Sequence, residues 1–590
     1  MDTPATAPQQ TLSLLDVGDD VIMVILDELQ ETSPHSVVSL GLVHPLFNKL
    51  AQQYRYRELV FDHSSVACAQ LNLINDSHLL STIRSLSVTG DAEDDEQNHS
   101  WRLLADLVPE MTALKDVAII TSREIPAAII HAIQNCRKAR LHITFSTGVA
   151  SGECLALQRL TGVANLHSLD LKATYIQPDS CLRVTKPLRD ILLSCQNLRV
   201  LKLDLNEPQR GCVRYGPKKE YMGCGFHNGE RPLAALEVLH LEHYPFGQLP
   251  PTDTEDAGGV NWSWDGYPGS EPEEDYWAAT FDWTRLRVLR SSSPWYFSKF
   301  MPYLTALKEF QATSYWGVDS EDALSTFLAE VPSKLERIRA HDFESIGVDS
   351  LRRHSSHLKA LHLHTPFLHQ NGKWRERAMT ADSLRLIRDH CEHLEELEID
   401  LARDGEWPFE VLDVLASFPR LKTLSLWLEL GQGWTSDSST QGLVKPFATF
   451  ASCSSLFKYL RDGSPAASKP SRLRELRVST GTYHWEGPRG YGKPSPGAFW
   501  TKYNSSKFTC ALSERDDEAS EGVYVTTCPE LSEKLNTAMQ LALKQDKNPD
   551  EYLPGLKDAS SSNHRSRRLF ERLLVAWNGP TPRETWDSHY

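Results

Sequence analysis

The sequence of 590 residues lacks the features that mark several large classes of protein. Its longest apolar run is Val21–Leu26, far short of the roughly 20 residues of a bilayer-spanning helix, so no membrane span is predicted. The first residues include an acidic residue and no basic start, so we expect no secretory signal there. The formal net charge of −16 disfavours nucleic acid as the main partner, because phosphate-binding proteins usually carry a basic excess.

The sequence also lacks the common catalytic motifs. The sequence has no glycine-lysine phosphate loop, no HExxH, no GxSxG and no paired CxxC, so we predict no catalytic site, cofactor or metal. Its 11 cysteines lack paired spacing, which indicates reduced thiols and a place in the cytoplasm or nucleus. Cys212, Cys224 and His227 lie in one loop, but their spacing is not that of a zinc finger. A thiol-dependent enzyme using Cys391 or a cysteine of that loop is a lesser alternative.

What is present begins with a small apolar segment, Val17–Ala51. Asp19 is expected to cap a first helix, Pro34 to end it and Ser36 to cap a second, and Pro45 marks another break before a third. The first helix carries one apolar stripe of Val21, Val24, Ile25 and Leu29. A unit this small cannot bury all of its apolar surface, so the segment predicts a protein partner.

This segment resembles an F-box. The residues that carry the resemblance are Val17, Gly18, Asp20, Val21, Ile25, Leu26, Leu29, Ser39, Leu40, Val43, Leu46 and Phe47. Gly18 stands where the family usually has proline, and the link between the helices lacks the usual acidic residue after proline. The following Tyr54–Phe61 is similar to the way many fungal F-box proteins enter their first strand. The alternative is an ordinary helical cap on a larger domain.

The resemblance implies that the helices bind a Skp-type adaptor, which joins them to a cullin scaffold. The expected adaptor-binding residues are Val17, Val21, Ile25, Leu26, Leu29, Leu40, Val43, Leu46 and Phe47. Charging Leu26 and Phe47 is then expected to abolish adaptor binding while leaving target binding intact.

From residue 83 onward a pattern of the form L-x-x-L-x-L keeps returning. Twelve copies begin at residues 83, 114, 166, 198, 236, 286, 307, 335, 358, 394, 421 and 473, and a weaker copy begins at 138. The alternating apolar positions predict buried strands, and helix-like stretches lie between them. Because one such unit cannot bury its own apolar face, neighbours are expected to stack as degenerate leucine-rich repeats. Unrelated αβ pairs are the alternative.

The predicted fold is therefore α/β: a three-helix F-box, a leucine-rich-repeat-like solenoid with inserted loops, and a C-terminal helical cap. The expected domains are a flexible tail (1–13), the F-box (14–54), the solenoid (55–480, with insertions at 206–232 and 250–280) and a loop and helical capping region (481–590).

A target protein is expected on the concave side of the solenoid, which the strands line. The residues between the apolar strand positions point into it, and we call this the outward face of the strands. Arg339, His341, His362 and His364 come from neighbouring repeats and would lie side by side, where they either grip a carboxylate or phosphate or form an ordinary solvated face. Other candidate target contacts are Trp427 and the loop residues Trp262 and Trp264.

The sequence thus predicts a non-catalytic substrate-recognition subunit of a Skp–cullin–F-box ubiquitin ligase. Its expected partners are the adaptor, the cullin and an unidentified target protein, with no nucleic acid and no membrane. A repeat scaffold without a ligase role is the alternative.

Overall fold

A computed structural model describes most of the helices, strands and loops of this chain, but not every residue. The described residues are 18–76, 79–90, 94–136, 138–149, 154–175, 178–206, 223–226, 229–242, 244, 246, 273–291, 297, 299–313, 320–364, 378–430, 444–463, 471–481, 505–512, 524–529 and 533–545. The chain forms two compact units. Unit 1 contains Met1–Leu236 and His243–Glu273, and unit 2 contains Glu237–Glu242 and Glu274–Tyr590.

Unit 1 begins with three helices that together we call the three-helix module. They are α1 (Asp19–Thr32), α2 (Pro34–Gly41) and α3 (Pro45–Arg55). Their ends differ from the sequence prediction. The cap of α1 is Gly18, not Asp19, and the cap of α2 is Ser33, not Ser36. Pro34 and Pro45 begin helices, because proline lacks only an N–H that the first helical turn leaves unused.

The module has a core of its own. All three helices contribute to this core, which consists of Ile22, Leu26, Val37, Phe47, Leu50, Ala51 and Tyr54. The α1 stripe is therefore rotated from the predicted one: Ile22 and Leu26 are buried, whereas Val21 and Val24 are exposed. The three helices therefore form a packed unit, and the apolar side chains of its core are not available to a partner.

The remainder of unit 1 alternates strands and helices. Its strands among the described residues are β1 (Glu58–Phe61), β2 (Ser85–Thr89), β3 (Asp116–Thr121), β4 (Arg140–Val149), β5 (Leu166–Tyr175) and β6 (Val200–Asn206). Its further helices are α4 (Ser65–Asp76), α5 (Asp94–Leu107), α6 (Ala127–Asn135), α7 (Leu155–Gln158) and α8 (Pro178–Ser194). Each strand pairs in parallel with the next along the chain.

Unit 2 continues the same alternation. Its described strands are β7 (Val238–Glu242), β8 (Val288–Ser291), β9 (Glu309–Ala312), β10 (Arg337–Ala340), β11 (Ala360–Leu363), β12 (Glu396–Leu401), β13 (Thr423–Leu428), β14 (Glu475–Thr480), β15 (Ser506–Leu512) and β16 (Tyr524–Thr527). Its helices are α9 (Glu273–Thr280), α10 (Ser320–Glu330), α11 (Val348–His354), α12 (Ala381–His390), α13 (Phe409–Ala416), α14 (Phe450–Lys458) and α15 (Glu533–Gln545). Strands β7 to β14 pair in parallel.

Every predicted copy of the repeat forms a strand, from β2 at the copy starting at residue 83 to β14 at the copy starting at 473. In the copy at 358, Leu358, Leu361 and Leu363 are all buried. Burying one such side chain contributes about 1.5–3 kcal/mol. The apolar positions of the motif therefore stabilise the stacking of neighbouring repeats. Unit 1 and unit 2 each have the mixed α/β arrangement of a repeat solenoid.

The C-terminal region differs from the predicted loop and helical cap in one respect. Strands β15 and β16 extend the sheet of unit 2 beyond β14 with antiparallel pairing. The predicted helix near residues 528–545 is present as α15. The predicted last helix, at residues 567–577, lies outside the described residues. Among the described helices, none combines the length and apolarity needed to cross a bilayer.

Candidate functional site

The exposed surface of the three-helix module is the first candidate site. Of the predicted adaptor-binding residues, Val21 is 51% exposed and Val43 is 73% exposed. Ile25, Leu29, Leu40 and Leu46 are half-buried, and Val17 lies outside the described residues.

Two of the predicted contact residues have a different role. Leu26 is 0% exposed and Phe47 is 4% exposed, because both belong to the module's core. A partner cannot touch these side chains on the folded module. A charge at either position would unfold the module, so the loss of binding expected from that change would not identify a contact.

Three exposed apolar side chains were not among the predicted contacts. They are Val24 (67% exposed), Val38 (52%) and Leu42 (86%). The sequence could have predicted one of them, Val24. It lies three residues after Val21, so both are on the same side of α1, away from the buried Ile22 and Leu26. Leu42 lies in the link between α2 and α3, where periodicity gives no guidance.

The module is joined to the first strand by a compact group of polar contacts. The Tyr54 hydroxyl donates to the Met23 carbonyl at 2.6 Å, and the Arg57 guanidinium lies 3.4 Å from the centre of the Tyr54 ring. Arg57 also forms an ion pair with Asp27, whose pKa is lowered by that hydrogen bond. These contacts fix α1 and α3 against the chain that leads into β1.

A groove lies between the module and the strands β1, β2 and β3. It has a volume of about 730 Å³, and its lining includes Val38, Leu42, Arg57, Arg84, Lys115 and Asp116. The groove therefore combines apolar side chains from the module with charged side chains that precede or begin the strands.

The second candidate site is the outward face of β10 to β13, where target contacts were predicted. The Arg339 guanidinium donates to Glu398 Oε2 at 3.0 Å and lies 3.2 Å from His362 Nδ1. His362 Nδ1 also lies 3.1 Å from Glu398 Oε2. Arg339 and His362 are thus neighbours, as predicted. The carboxylate that both contact is that of Glu398, on strand β12.

The same face holds a stacked pair. The rings of His364 and Trp427 are nearly parallel, at 7°, and their centres are 4.0 Å apart. His364 Nδ1 pairs with Asp400, and Trp427 Nε1 donates to Glu398 Oε1 at 2.7 Å. His341, one residue beyond β10, is half-buried. Trp262 and Trp264 lie outside the described residues.

These pairings bear on the predicted anion grip. Burial raises the pKa of Glu398, but the hydrogen bond with His362 and the charge of Arg339 outweigh it and hold the pKa at about 2. Glu398 and Asp400 already occupy the positions that an external carboxylate or phosphate would take. The geometry favours a self-paired strand face over an anion site, and target binding at these residues stays a prediction.

The two candidate thiols among the described residues, Cys391 and Cys224, do not meet the requirements of a nucleophile. Cys391 is 1% exposed, and burial raises its pKa to about 12. Cys224 is buried and accepts a hydrogen bond from the Tyr244 hydroxyl at 3.1 Å. A reactive cysteine needs an accessible thiol with a lowered pKa. Cys212 and His227 lie outside the described residues, which contain no group of three side chains suited to a metal ion.

Comparisons with known proteins add little. No family model matches the chain, and no curated protein matches its sequence. Among solved structures, the chain is similar to one titled "Crystal structure of Rad7 and Elc1 complex in yeast", with 12% identity and a TM-score of 0.31. The similarity covers 74% of this chain and 98% of that chain. A TM-score of this size carries no argument about the function of this chain.

Proposed function

We propose that this protein is the substrate-recognition subunit of a Skp–cullin–F-box ubiquitin ligase in the cytoplasm or nucleus. The three-helix module binds the Skp-type adaptor, and the outward faces of the repeat strands bind a target protein. The chain supplies no catalytic group. It raises the local concentration of the target near the conjugating enzyme, which is the contribution expected of a subunit that holds two reactants together.

The observation that carries the proposal is the apolar surface left on the module after its core is complete. Val21, Val24, Val38, Leu42 and Val43 are each more than half exposed, although the module already buries seven apolar side chains. Exposed apolar side chains concentrated on a small unit mark a protein-binding surface. The order of the module and the repeats along the chain is that of an F-box protein with leucine-rich repeats.

The departure at Gly18 does not weaken the proposal. Gly18 has φ of −61° and ψ of 153°, and the ring of proline would hold φ near the same value. The backbone at the start of α1 therefore has the geometry that the family's proline provides. Glycine only makes the unfolded chain more flexible, which costs roughly 0.4–1 kcal/mol of stability.

The experiment is co-purification of the full chain with the Skp-type adaptor and cullin, comparing the unchanged protein with Val24→Asp/Val43→Asp. Each substitution puts a charge on an exposed side chain, so the fold is retained while the apolar surface is interrupted. We expect adaptor binding to fall at least tenfold. Deletion of residues 1–60 is a poorer test, because it also removes most of β1.

The matched control is Leu73→Asp. Leu73 is an exposed apolar residue, at 69%, but it lies on α4 outside the module. Its replacement is expected to leave adaptor binding unchanged. Absence of adaptor binding by the unchanged, folded chain would exclude the ligase role and favour a repeat scaffold.

A further inference from the structure

We propose that the groove between the three-helix module and the strands β1 to β3 binds an acidic segment of a second protein, anchored by one apolar side chain. The inference goes beyond the adaptor-binding role, because it assigns a partner to the charged groove beside the module. Val38 and Leu42 line this groove and also belong to the exposed apolar surface of the module.

The apolar part of the groove is contributed by α2 and the residue that follows it. Leu42 is 86% exposed, and Val38 on α2 is 52% exposed. Isolated exposed leucines are common on protein surfaces, but these two line one groove of about 730 Å³. That volume lies in the range of sites that enclose a ligand, and a leucine or phenylalanine side chain has the chemistry to cover both residues.

The lining of the groove includes a short row of cations, Arg57, Arg84 and Lys115. Each stands just before a strand, and the backbone links them in order: the Arg84 N–H donates to the Arg57 carbonyl at 2.8 Å, and the Lys115 N–H to the Arg84 carbonyl at 2.8 Å. Residues so paired across parallel strands lie about 5 Å apart. Three like charges at this spacing favour an anionic occupant.

The acidic residues of the groove leave part of this charge uncompensated. Asp27 pairs with Arg57, and Asp116 pairs with Arg140 at 2.7 Å and 3.0 Å. Arg84 also interacts electrostatically with Asp27. Among the described residues at the groove, the four cations Arg57, Arg84, Lys115 and Arg140 therefore exceed the three carboxylates Asp27, Glu58 and Asp116 by one charge.

The two properties together select the occupant. A purely apolar segment would leave two exposed cations beside it, and a basic segment would meet repulsion from them. A segment with carboxylates on both sides of a leucine or phenylalanine satisfies both parts of the groove. Such a segment is a common form of peptide in which charge guides the encounter and one anchor side chain supplies the contact.

The test is fluorescence anisotropy on the full chain with a labelled synthetic peptide, in which aspartates and glutamates flank one leucine. The comparison peptide has lysine in place of every acidic residue. We expect the acidic peptide to bind, with an affinity that falls as salt is added, and the lysine peptide not to bind. Equal binding of both peptides, or no binding of the acidic one, overturns the proposal.

The site is located with Arg84→Glu/Lys115→Glu and with Leu42→Ser. The double charge reversal is expected to weaken binding of the acidic peptide about tenfold or more, and Leu42→Ser several-fold. Arg474→Glu is the matched control, because Arg474 is also exposed and holds the same place before strand β14. Unchanged binding in the double reversal, or an equal loss in Arg474→Glu, contradicts the assignment.

Two further measurements keep the result interpretable. Arg84→Gln/Lys115→Gln removes the cations without adding carboxylates, so it replaces the double reversal if that variant does not fold, and it should weaken binding about threefold or more. Sedimentation of the unchanged chain tests for self-association. A dimer that the charge reversal dissociates would show that the occupant is a second copy of this chain and would overturn the proposal of a different partner.

The outcome is separable from that of the adaptor experiment. Val24→Asp/Val43→Asp changes residues that do not line the groove, so it should leave binding of the acidic peptide unchanged. Loss of peptide binding in that variant would contradict a groove site.

Discussion

Unit 1 and unit 2 place charged residues at the same position of the repeat, just before each strand, but arrange the signs differently. In unit 2 the signs alternate before strands β9 to β13, through Lys308, Glu336, Lys359, Glu395 and Lys422. The alternation ends on either side of this stretch, because Arg287 precedes β8 and Arg474 precedes β14. Glu336 accepts from Lys308 and from Lys359 at 2.9 Å each, and Lys422 pairs with Glu395 at 2.9 Å. In unit 1 the corresponding row is Arg57, Arg84 and Lys115, all cationic.

The difference shows that the position just before each strand can either stabilise the fold or offer charge to a partner. Alternating charges satisfy one another across neighbouring strands, so the row before β9 to β13 contributes to the folded state and leaves little charge for a partner. A row of one sign does not compensate itself, and its charge is available to whatever binds there. The outward face of β10 to β13 belongs to the first kind, since Arg339, His362 and Glu398 pair with one another.

The largest effect is expected from Glu398→Ala in unit 2. The change removes the carboxylate that pairs with Arg339 and His362 and accepts from Trp427, and Glu398 itself is 14% exposed. Leaving these groups unpaired in a poorly solvated place is expected to cost about 2–4 kcal/mol. Urea unfolding of the full chain measures the loss.

The control for this change is Glu475→Ala. Glu475 pairs with Arg477, which is 56% exposed, so its removal should cost less than about 0.5 kcal/mol. Equal losses in the two variants would show that the self-paired face adds nothing to the stability of unit 2.

A smaller effect is expected from pH. The pKa of Glu336 and that of Glu398 are both lowered to about 2 from the ordinary value of 4.5. For Glu336 the causes are the hydrogen bonds from Lys308 and Lys359. A carboxyl group with a lowered folded pKa adds stability above its unfolded pKa, and that contribution is lost as pH falls from about 4.5 towards about 2.

Unfolding measured across this range should therefore show a loss of stability that is smaller in Glu398→Gln than in the unchanged protein. An identical pH profile in the two proteins would contradict the role assigned to this carboxylate.

The smallest effect is expected from reversing single charges of the two rows. Lys359→Glu leaves Glu336 with one cation and adds a repulsion, and because the pair is exposed the cost is about 1 kcal/mol or less. Lys115→Glu breaks no ion pair of the described residues, so its free energy of unfolding should stay within about 0.5 kcal/mol of that of the unchanged protein. Urea unfolding of the two variants measures both free energies. A larger cost for Lys115→Glu would show that its row is structural.

The repeats could be predicted from the sequence because their signal is local. Three apolar positions within six residues define each strand, and all thirteen copies form one. The sequence could also have predicted that Arg339, His362 and Glu398 lie side by side, since all three occupy the same position of their repeat copies. What the pattern could not tell was whether these groups pair with one another or await a ligand, because that depends on side-chain rotamers.

Other parts could not be predicted because the information is not local. Leu26 and Phe47 lie on different helices, and only the packing of α1 against α3 decides that both are buried. Strand β15 shows the alternation of a strand at Phe508 and Cys510, but it lies outside the repeat pattern and follows a segment rich in glycine and proline. The groove joins residues from α2 with residues that precede three different strands, so no single segment indicates it.

The most direct test of the central claim is hydrogen–deuterium exchange of the full chain with and without the Skp-type adaptor. The account predicts slower exchange in α1 and in the segment from α2 into α3, where Val24, Leu42 and Val43 are exposed, and unchanged exchange in α4, where Leu73 is exposed. Unchanged exchange throughout the three-helix module at saturating adaptor would contradict it.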